Sequence, residues 1–186
     1  MSVSYRKCPA CESRKVIPIV YGEPDYTLQT EAHEGKVLLG GCVLMPDSPD
    51  YYCQACGNKW TKVDALFHTY QEIDGLEVHI GGVFGEQITV RIDFNSQKLV
   101  WNQTENNLEI ELTEHDVKQI RGRLLLTGIL DWRRKYERVG VTDGTHWQVT
   151  LFRKPRILKR SGINAYPREW SDFCALISEY AGRKFG

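Results

Sequence analysis

Four cysteines fall in two Cys-x-x-Cys pairs, and this spacing is the strongest chemical signal in the sequence. The pairs are Cys8-Pro-Ala-Cys11 and Cys53-Gln-Ala-Cys56, and Gly57 directly follows the second. Two intervening residues let both sulfurs of a pair reach one ion from a tight turn, and zinc prefers thiolates in a closed tetrahedron. Gly57 suits the positive φ that such a turn often needs. We therefore predict a structural Zn²⁺ site, the alternatives being redox-active or merely buried thiols.

A long insertion separates the two pairs. It holds 41 residues between Cys11 and Cys53, where the usual four-cysteine pattern has about 15 to 20. Closing the longer loop costs only roughly 0.7 kcal/mol more, against roughly 10 to 16 kcal/mol from zinc binding. Zinc binding therefore tolerates the insertion. A segment of this length is typical of one with a function or a packing of its own.

The residues around the cysteines form a longer ordered pattern. It runs from Cys8-Pro-x-Cys11 through Val16-Ile-Pro-Ile-Val-Tyr-Gly-Glu-Pro24, Gly35, Leu39-Gly-Gly-Cys42 and Pro49 to Cys53-x-x-Cys56-Gly57. This pattern resembles the zinc-ribbon segment of small uncharacterised bacterial proteins. The resemblance implies zinc, a bacterial origin and a cytoplasmic setting, but no activity. A later segment, Tyr136, Asp143-Gly-Thr-x-Trp147 and Gly162-x-Asn-Ala-Tyr-Pro167, is similar to one in uncharacterised bacterial proteins and implies no chemistry.

Two further cysteines stand outside the pairs. Cys42 follows Gly40-Gly41 and is a candidate reactive thiol or exchangeable ligand. Burial as a small apolar side chain is the interpretation we favour, because free cysteine is among the most buried residue types. Cys174 falls on the apolar face of a predicted helix, so we expect it in the core.

Two basic stretches interleave with aromatic residues in the C-terminal part. The candidate contacts for an anionic ligand are Arg133, Arg134, Lys135, Arg138, Arg153, Lys154, Lys159 and Arg160, and the nearby rings are Trp132, Tyr136, Trp147 and Tyr166. A basic groove with stacking rings is how single-stranded nucleic acid is held. Strand alternation would place Trp132, Arg134 and Tyr136 on one face, together with Arg138. The alternative is basic side chains lying over an aromatic-rich sheet.

Charge divides the chain sharply even though the net charge is zero. Residues 1–116 carry 9 Lys+Arg against 18 Asp+Glu, and residues 117–186 carry 15 against 6. The two halves either compensate each other within one fold, which we favour, or leave a basic face for an anionic partner.

Turns and short strands are expected up to Asp64, because Gly and Pro punctuate that section. Hydrophobic residues then recur with period two around Leu76–Ile80, Ile88–Phe94 and Leu108–Leu112, which predicts antiparallel strands. The chain thus divides into a zinc-ribbon domain over residues 1–64 and a second domain over residues 65–186. The second should be an antiparallel sheet with two helices, so the fold class is α+β.

The two helices have recognisable ends. Thr113 can cap the first through Asp116, its buried face holds Val117, Ile120 and Leu124, and Gly128 stops it. Pro167 opens the second, with Trp170, Phe173, Cys174 and Ile177 at helical spacing, and Gly182 ends it. Between the helices, strands around residues 130–136 and 147–151 with an Asp143-Gly144 turn predict a hairpin.

The remaining residues do not form a catalytic pattern. The five histidines, His33, His68, His79, His115 and His146, show no metal-binding pairing, and the glycines lack the spacing of a phosphate loop. Every apolar run is too short for a membrane span, and no secretory signal is visible, so we expect a cytoplasmic protein. We predict a non-catalytic binding or adaptor module with structural zinc, whose partner is a protein or small ligand. The alternatives are a nucleic-acid-binding protein and an enzyme of unknown type.

Overall fold

The protein consists of two compact units, Met1–Thr69 and Tyr70–Gly186. The computed structural model describes residues 3–82, 85–104, 106–137, 144–154 and 156–186. Helices accompany largely antiparallel sheets and the last helix is C-terminal, so the predicted α+β class is confirmed. Within the described residues, every helix is too short or too polar to traverse a lipid bilayer.

The first unit is built on a small four-stranded sheet in the order β2-β1-β3-β4. Its strands are β1 (Val16–Val20), β2 (Leu38–Leu39), β3 (Tyr51–Cys53) and β4 (Lys59–Trp60), with helix α1 (Tyr26–His33) between β1 and β2. β1 pairs with β2 in parallel and with β3 antiparallel. Since β3 ends at Cys53, the sheet fixes where the second cysteine pair begins.

Two helices were not predicted. α1 lies within the insertion and is capped by Asp25, whose carboxylate accepts from Leu28 N at 2.8 Å. The helix buries no residue, so its sequence shows no apolar periodicity that would predict it. α2 (Lys62–Gln71) follows β4 and runs across the boundary between the units. The expectation that this part of the chain holds only turns and short strands was therefore wrong.

The second unit is a seven-stranded sheet in the order β8-β7-β6-β5-β10-β11-β9. Its strands are β5 (Ile73–Gly81), β6 (Ile88–Asp93), β7 (Lys98–Gln103), β8 (Leu108–Glu111), β9 (Lys135–Glu137), β10 (His146–Arg153) and β11 (Arg156–Ile163). Every pairing is antiparallel except that of β9 with β11. The three strands predicted from period two are present as β5, β6 and β8.

Both helices predicted for the second unit are present, α3 (Glu114–Leu126) and α4 (Trp170–Ala181). Thr113 and Asp116 form a reciprocal capping box on α3, and Val117, Ile120 and Leu124 are its buried residues. Gly128 and Gly182 both have positive φ just after a helix, as a glycine stop requires. α4 begins three residues after Pro167, and it buries Phe173, Cys174 and Ile177.

The hairpin predicted around Asp143-Gly144 was wrong. Asp143 lies outside the described residues. Among the strands that the structure describes, β10 pairs with β11 and β5, whereas β9 pairs with β11. Residues 128–132 form turns, in which Trp132 is buried while Arg133 and Arg134 are exposed. The Trp132 indole donates to the Thr127 carbonyl at 3.0 Å, so local packing and not strand alternation buries this residue.

Candidate metal centre

The two Cys-x-x-Cys pairs meet at one point in the first unit. All four Sγ atoms, from Cys8, Cys11, Cys53 and Cys56, lie within 4.8 Å of one another. The closest approaches join the pairs, because Cys8 Sγ lies 3.6 Å from Cys56 Sγ and Cys11 Sγ lies 3.6 Å from Cys53 Sγ. The structure therefore brings together every residue of the predicted four-thiolate set, and this group can hold a metal ion.

The two pairs have the same backbone construction. In the first, Glu12 N donates to Cys8 O at 2.9 Å and Cys8 N donates to Ser13 O at 3.0 Å. In the second, Gly57 N donates to Cys53 O at 2.8 Å and Cys53 N donates to Asn58 O at 2.9 Å. Glu12 and Gly57 also share a positive φ, of 60° and 77°. Each pair is thus a closed turn that holds its two sulfurs on one side of the backbone.

Backbone N–H groups point at the sulfurs of both turns. Ser13 N–H donates to Cys11 and Asn58 N–H donates to Cys56. Cys53 accepts from the N–H groups of Cys56 and Ala55. Such donors stabilise thiolates more than thiols, which is what a cation bound by four thiolates needs from its surroundings.

The sulfurs differ in how they ionise. Burial opposes the Cys53 thiolate, but the N–H groups of Cys56 and Ala55 and the neighbouring thiols outweigh it and lower the pKa of Cys53 to about 7. The Ser13 N–H favours the Cys11 thiolate, yet hydrogen bonds with the other thiols, first Cys56, and burial outweigh it and raise the pKa of Cys11 to about 12. Four crowded thiols therefore do not all ionise together without a cation.

The sulfur–sulfur distances can be compared with those of a tetrahedral four-thiolate site, and all of them lie within 4.8 Å. An ion about 2.3 Å from each of four sulfurs in a tetrahedron sets sulfur–sulfur edges of about 3.8 Å. The two closest sulfur pairs, each 3.6 Å apart, are near that edge. A group of four cysteines without histidine or carboxylate is also the donor set of closed structural zinc sites, which keep no open coordination position.

The buried side of the cluster is part of the core of the first unit. Cys8 and Cys53 have no exposed surface, whereas Cys11 and Cys56 are exposed. The buried sulfurs pack with Trp60, whose indole donates to Tyr5 O at 3.2 Å and whose ring centroid lies 5.9 Å from that of Tyr51. Two of the four clustered cysteines are thus themselves core residues, so the four-sulfur group is built into the core of this unit.

Sequence reasoning missed one residue of the site, Asn58. Its side-chain Nδ2 donates to Cys8 Sγ across 3.9 Å, and its backbone N–H donates to the Cys56 sulfur. Asn58 therefore supports one sulfur from each turn. Its position, two residues after the last cysteine, was the available sequence signal. Ser13 holds the equivalent position in the first turn, but its side chain accepts from Lys15 N at 3.1 Å instead of reaching a sulfur.

This difference gives a matched pair of variants. We expect Asn58→Ala to lower zinc affinity about tenfold or more, because lost hydrogen bonds to metal ligands typically cost that much. Ser13→Ala should bind zinc like the unchanged protein. Competition with a chromogenic chelator measures both affinities. Equal affinities for the two variants would show that the Asn58 side chain does not support the site.

Cys42 is exposed, so the expectation that it is buried was wrong. Gly40 N donates to Val20 O at 2.8 Å and Gly22 N donates to Gly41 O at 2.9 Å, which fixes the chain before Cys42. Gly41 follows with a φ of 90°, and all residues from 39 to 47 are exposed. Cys42 is not part of the four-sulfur group.

Exposure makes Cys42 the thiol that we expect to react first in the metal-loaded protein. Cys174 is buried in α4, and burial raises the pKa of its thiol to about 12, so it should react only after unfolding. Mass spectrometry after brief maleimide treatment should find one label, on Cys42, and none in Cys42→Ser. Protection of Cys42 in the native protein would contradict the loop conformation.

The candidate anion contacts are dispersed in the second unit. Arg153 pairs with Glu72 across 3.5 Å, with both side chains largely buried. Arg160 donates to the Leu130 and Lys159 carbonyls, each at 3.1 Å. Lys135 contacts Glu137 at 3.4 Å. The exposed members are Arg133, Arg134, Lys135, Lys154 and Lys159, and Arg138 lies outside the described residues.

The aromatic residues near these cations pack on one another. Trp147 is 2% exposed, and its ring centroid lies 4.5 Å from Trp170, 5.7 Å from Tyr136 and 6.1 Å from Trp132. Of the four rings in the predicted binding face, Tyr166 has the largest exposure, at 41%. Trp132 and Trp147 therefore contribute to the core of the second unit.

Two clefts in the second unit flank Leu126, which is 78% exposed. One, of about 250 Å³, is lined by Arg123, Leu126, Thr127, Asp172 and Ala175; the other, of about 220 Å³, by Leu126, Thr127, Gly128, Asp131, Trp132, Tyr136 and Glu169. Among these described lining residues there is no cysteine, histidine or serine that could act as a nucleophile with a neighbouring base.

Comparison of the chain with protein-family models and with curated proteins finds no match.

Proposed function

We propose that this chain is a zinc protein in which Cys8, Cys11, Cys53 and Cys56 hold one Zn²⁺ as a structural crosslink. The observation that carries the proposal is the convergence of all four sulfurs within 4.8 Å from two turns of identical hydrogen bonding. Zinc would supply a fixed tetrahedral junction there, and the chain's own N–H groups would stabilise the thiolates. With all four positions taken by protein, the site is suited to structure and not to catalysis.

The proposed role of the whole chain is a non-catalytic binding or adaptor module. Two features support it: a zinc-stabilised first unit that presents a long insertion, and a second unit with a packed sheet and two surface clefts. We place the module in a bacterial cytoplasm, where thiols stay reduced and available to metal.

Metal analysis tests the zinc proposal. Purified protein should contain about one zinc per chain by elemental analysis, and native mass spectrometry should show the same mass increment. Replacement by Co²⁺ should give the intense sulfur-to-metal absorption of a four-thiolate site. A chain that folds fully without metal, or that holds another metal in preference to zinc, would overturn the proposal.

A second candidate function, binding of single-stranded nucleic acid, has the exposed cations Arg133, Arg134, Lys154 and Lys159 in its favour. It ranks second because the nearby rings pack against one another instead of offering open faces for bases. We expect no binding of a labelled oligonucleotide even at low salt, measured by fluorescence anisotropy. Binding that weakens log-linearly with salt, and that is lost when Arg133, Arg134 and Lys135 are replaced together by Ala, would move this function to first place.

A further inference from the structure

The insertion presents an apolar segment to solvent, which we call the insertion loop, residues 39–47. All nine residues are exposed. The largest apolar exposures are those of Val43 and Leu44, each 69%, and of Met45, 56%. Three consecutive large apolar side chains in water are unfavourable and mark a surface that is covered in a complex.

Several contacts hold the insertion loop in a defined shape. The Tyr21 hydroxyl donates to Pro49 O at 2.9 Å, and a Cβ on Gly40 would lie 2.4 Å from the Tyr21 ring, so only glycine fits there. At the other end, Met45 N donates to Ser48 Oγ at 2.8 Å and Ser48 N donates to Met45 O at 3.0 Å. A loop braced at both ends loses little conformational freedom on binding, which favours recognition.

Charge indicates what covers the insertion loop. Residues 22–50 contain six carboxylates and a single lysine, Lys36. The net negative charge of this stretch disfavours nucleic acid and anionic lipid as partners, and Asp47 within the loop disfavours its pairing with the same loop of another copy. The complementary surface must combine an apolar contact with positive charge.

The chain carries such a surface where β10 meets β11, which we call the hairpin end, residues 153, 154 and 156–160. These residues include five cations and no acid. Ile157 is 59% exposed, and Lys154, Arg156 and Lys159 beside it in sequence are exposed as well. The hairpin end therefore offers the apolar contact and the positive charge that the insertion loop requires.

We propose that the insertion loop of one copy docks on the hairpin end of a second copy. Exchange of the same contact in both directions gives a closed two-fold dimer in which each chain contributes both surfaces. Each surface is small and its charges are solvent-exposed, so the association is weak and sensitive to salt. The proposal is independent of the role of the zinc centre, and the zinc is kept bound in the test.

Sedimentation equilibrium of the full, zinc-loaded chain tests the proposal, with a phosphine reductant present so that Cys42 cannot crosslink. We expect a monomer–dimer equilibrium in the micromolar range at low salt that shifts to monomer at about 0.5 M NaCl. Leu44→Lys should weaken association about tenfold or more, because it removes an apolar contact and places a cation against the basic hairpin end. Leu126→Lys is the matched control, the same change at another exposed leucine, and should leave the equilibrium unchanged.

Complementary charge variants identify the two surfaces. Asp47→Lys and Arg156→Glu should each remain monomeric alone, because each homodimer would face like charges at both contacts. Mixed in equal amounts they should form a heterodimer, since every contact then joins opposite charges. A chain that is monomeric at all concentrations, a dimer unaffected by Leu44→Lys, or failure of the mixture to associate would overturn the proposal.

Discussion

Replacement of Cys53 by Ser should remove the bound metal and unfold the first unit while the second unit stays folded. Cys53 is fully buried, and its sulfur lies 3.6 Å from that of Cys11. Structural zinc contributes roughly 10 to 16 kcal/mol, which equals or exceeds the roughly 5 to 15 kcal/mol of a whole domain's stability. Loss of one of four ligands therefore removes most of what keeps a small unit folded.

The core of the first unit makes this effect larger. Its buried cluster consists of Cys8, Cys53, Trp60 and Ala65, so two of its four members belong to the four-sulfur group. Without the ion, the three remaining cysteines cannot all be ionised, because their thiolates would repel one another. The backbone N–H groups that would stabilise thiolates then face neutral thiols. Trp60, 2% exposed in the folded protein, should then become accessible to water.

Elemental analysis and hydrogen exchange measure the two parts of this expectation separately. Cys53→Ser should contain well under one zinc per chain, and its amides in residues 3–69 should lose protection while those of the seven-stranded sheet keep it. Cys42→Ser is the matched control, because Cys42 lies outside the four-sulfur group, and it should retain full zinc. Full occupancy in Cys53→Ser would mean that the ligand set is wrong.

Local chemistry made the cysteine cluster predictable. Two residues between paired cysteines determine where both sulfurs of a pair point, so the grouping of the four cysteines could be predicted from spacing. The capping box of α3 was predictable for the same reason, since Thr113 and Asp116 are three residues apart. An equivalent contact joins Thr61 and Asp64 at the start of α2, with Asp64 N donating to Thr61 Oγ1 at 3.0 Å, and the sequence reasoning overlooked it.

Features that depend on distant residues were not predictable. The exposure of Cys42 follows from the packing of Gly40 on Tyr21 and from the bond of Gly22 N to Gly41 O, which join residues about 20 apart in sequence. The partner of β9 likewise depends on which strand is free at the sheet edge, and period-two alternation does not encode that. The parallel pairing with β11 therefore replaced the predicted hairpin.

Trp147→Ala should destabilise the second unit by about 3 to 5 kcal/mol, the usual cost of truncating a buried aromatic residue. The Trp147 indole donates to Ala165 O at 2.9 Å, and its ring packs against that of Trp170 at an interplanar angle of 38°. A Cβ on Gly162 would lie 2.5 Å from Trp147 Nε1, so the neighbouring strand is shaped around this ring. Urea unfolding of the zinc-loaded protein measures the loss, which should appear only in the transition of the second unit.

A matched control separates a core role of this ring from a role in binding bases. Replacement of Tyr166 by Ala should cost only about 1 to 2 kcal/mol, because Tyr166 is 41% exposed and so buries less surface than Trp147. Its ring centroid lies 6.3 Å from that of Trp147. A stacking platform would give the opposite ranking in nucleic-acid binding, in which exposed rings carry the energy. If Trp147→Ala unfolds at the same urea concentration as the unchanged protein, the aromatic residues are not the core of this unit, and their exposure to a ligand must be reconsidered.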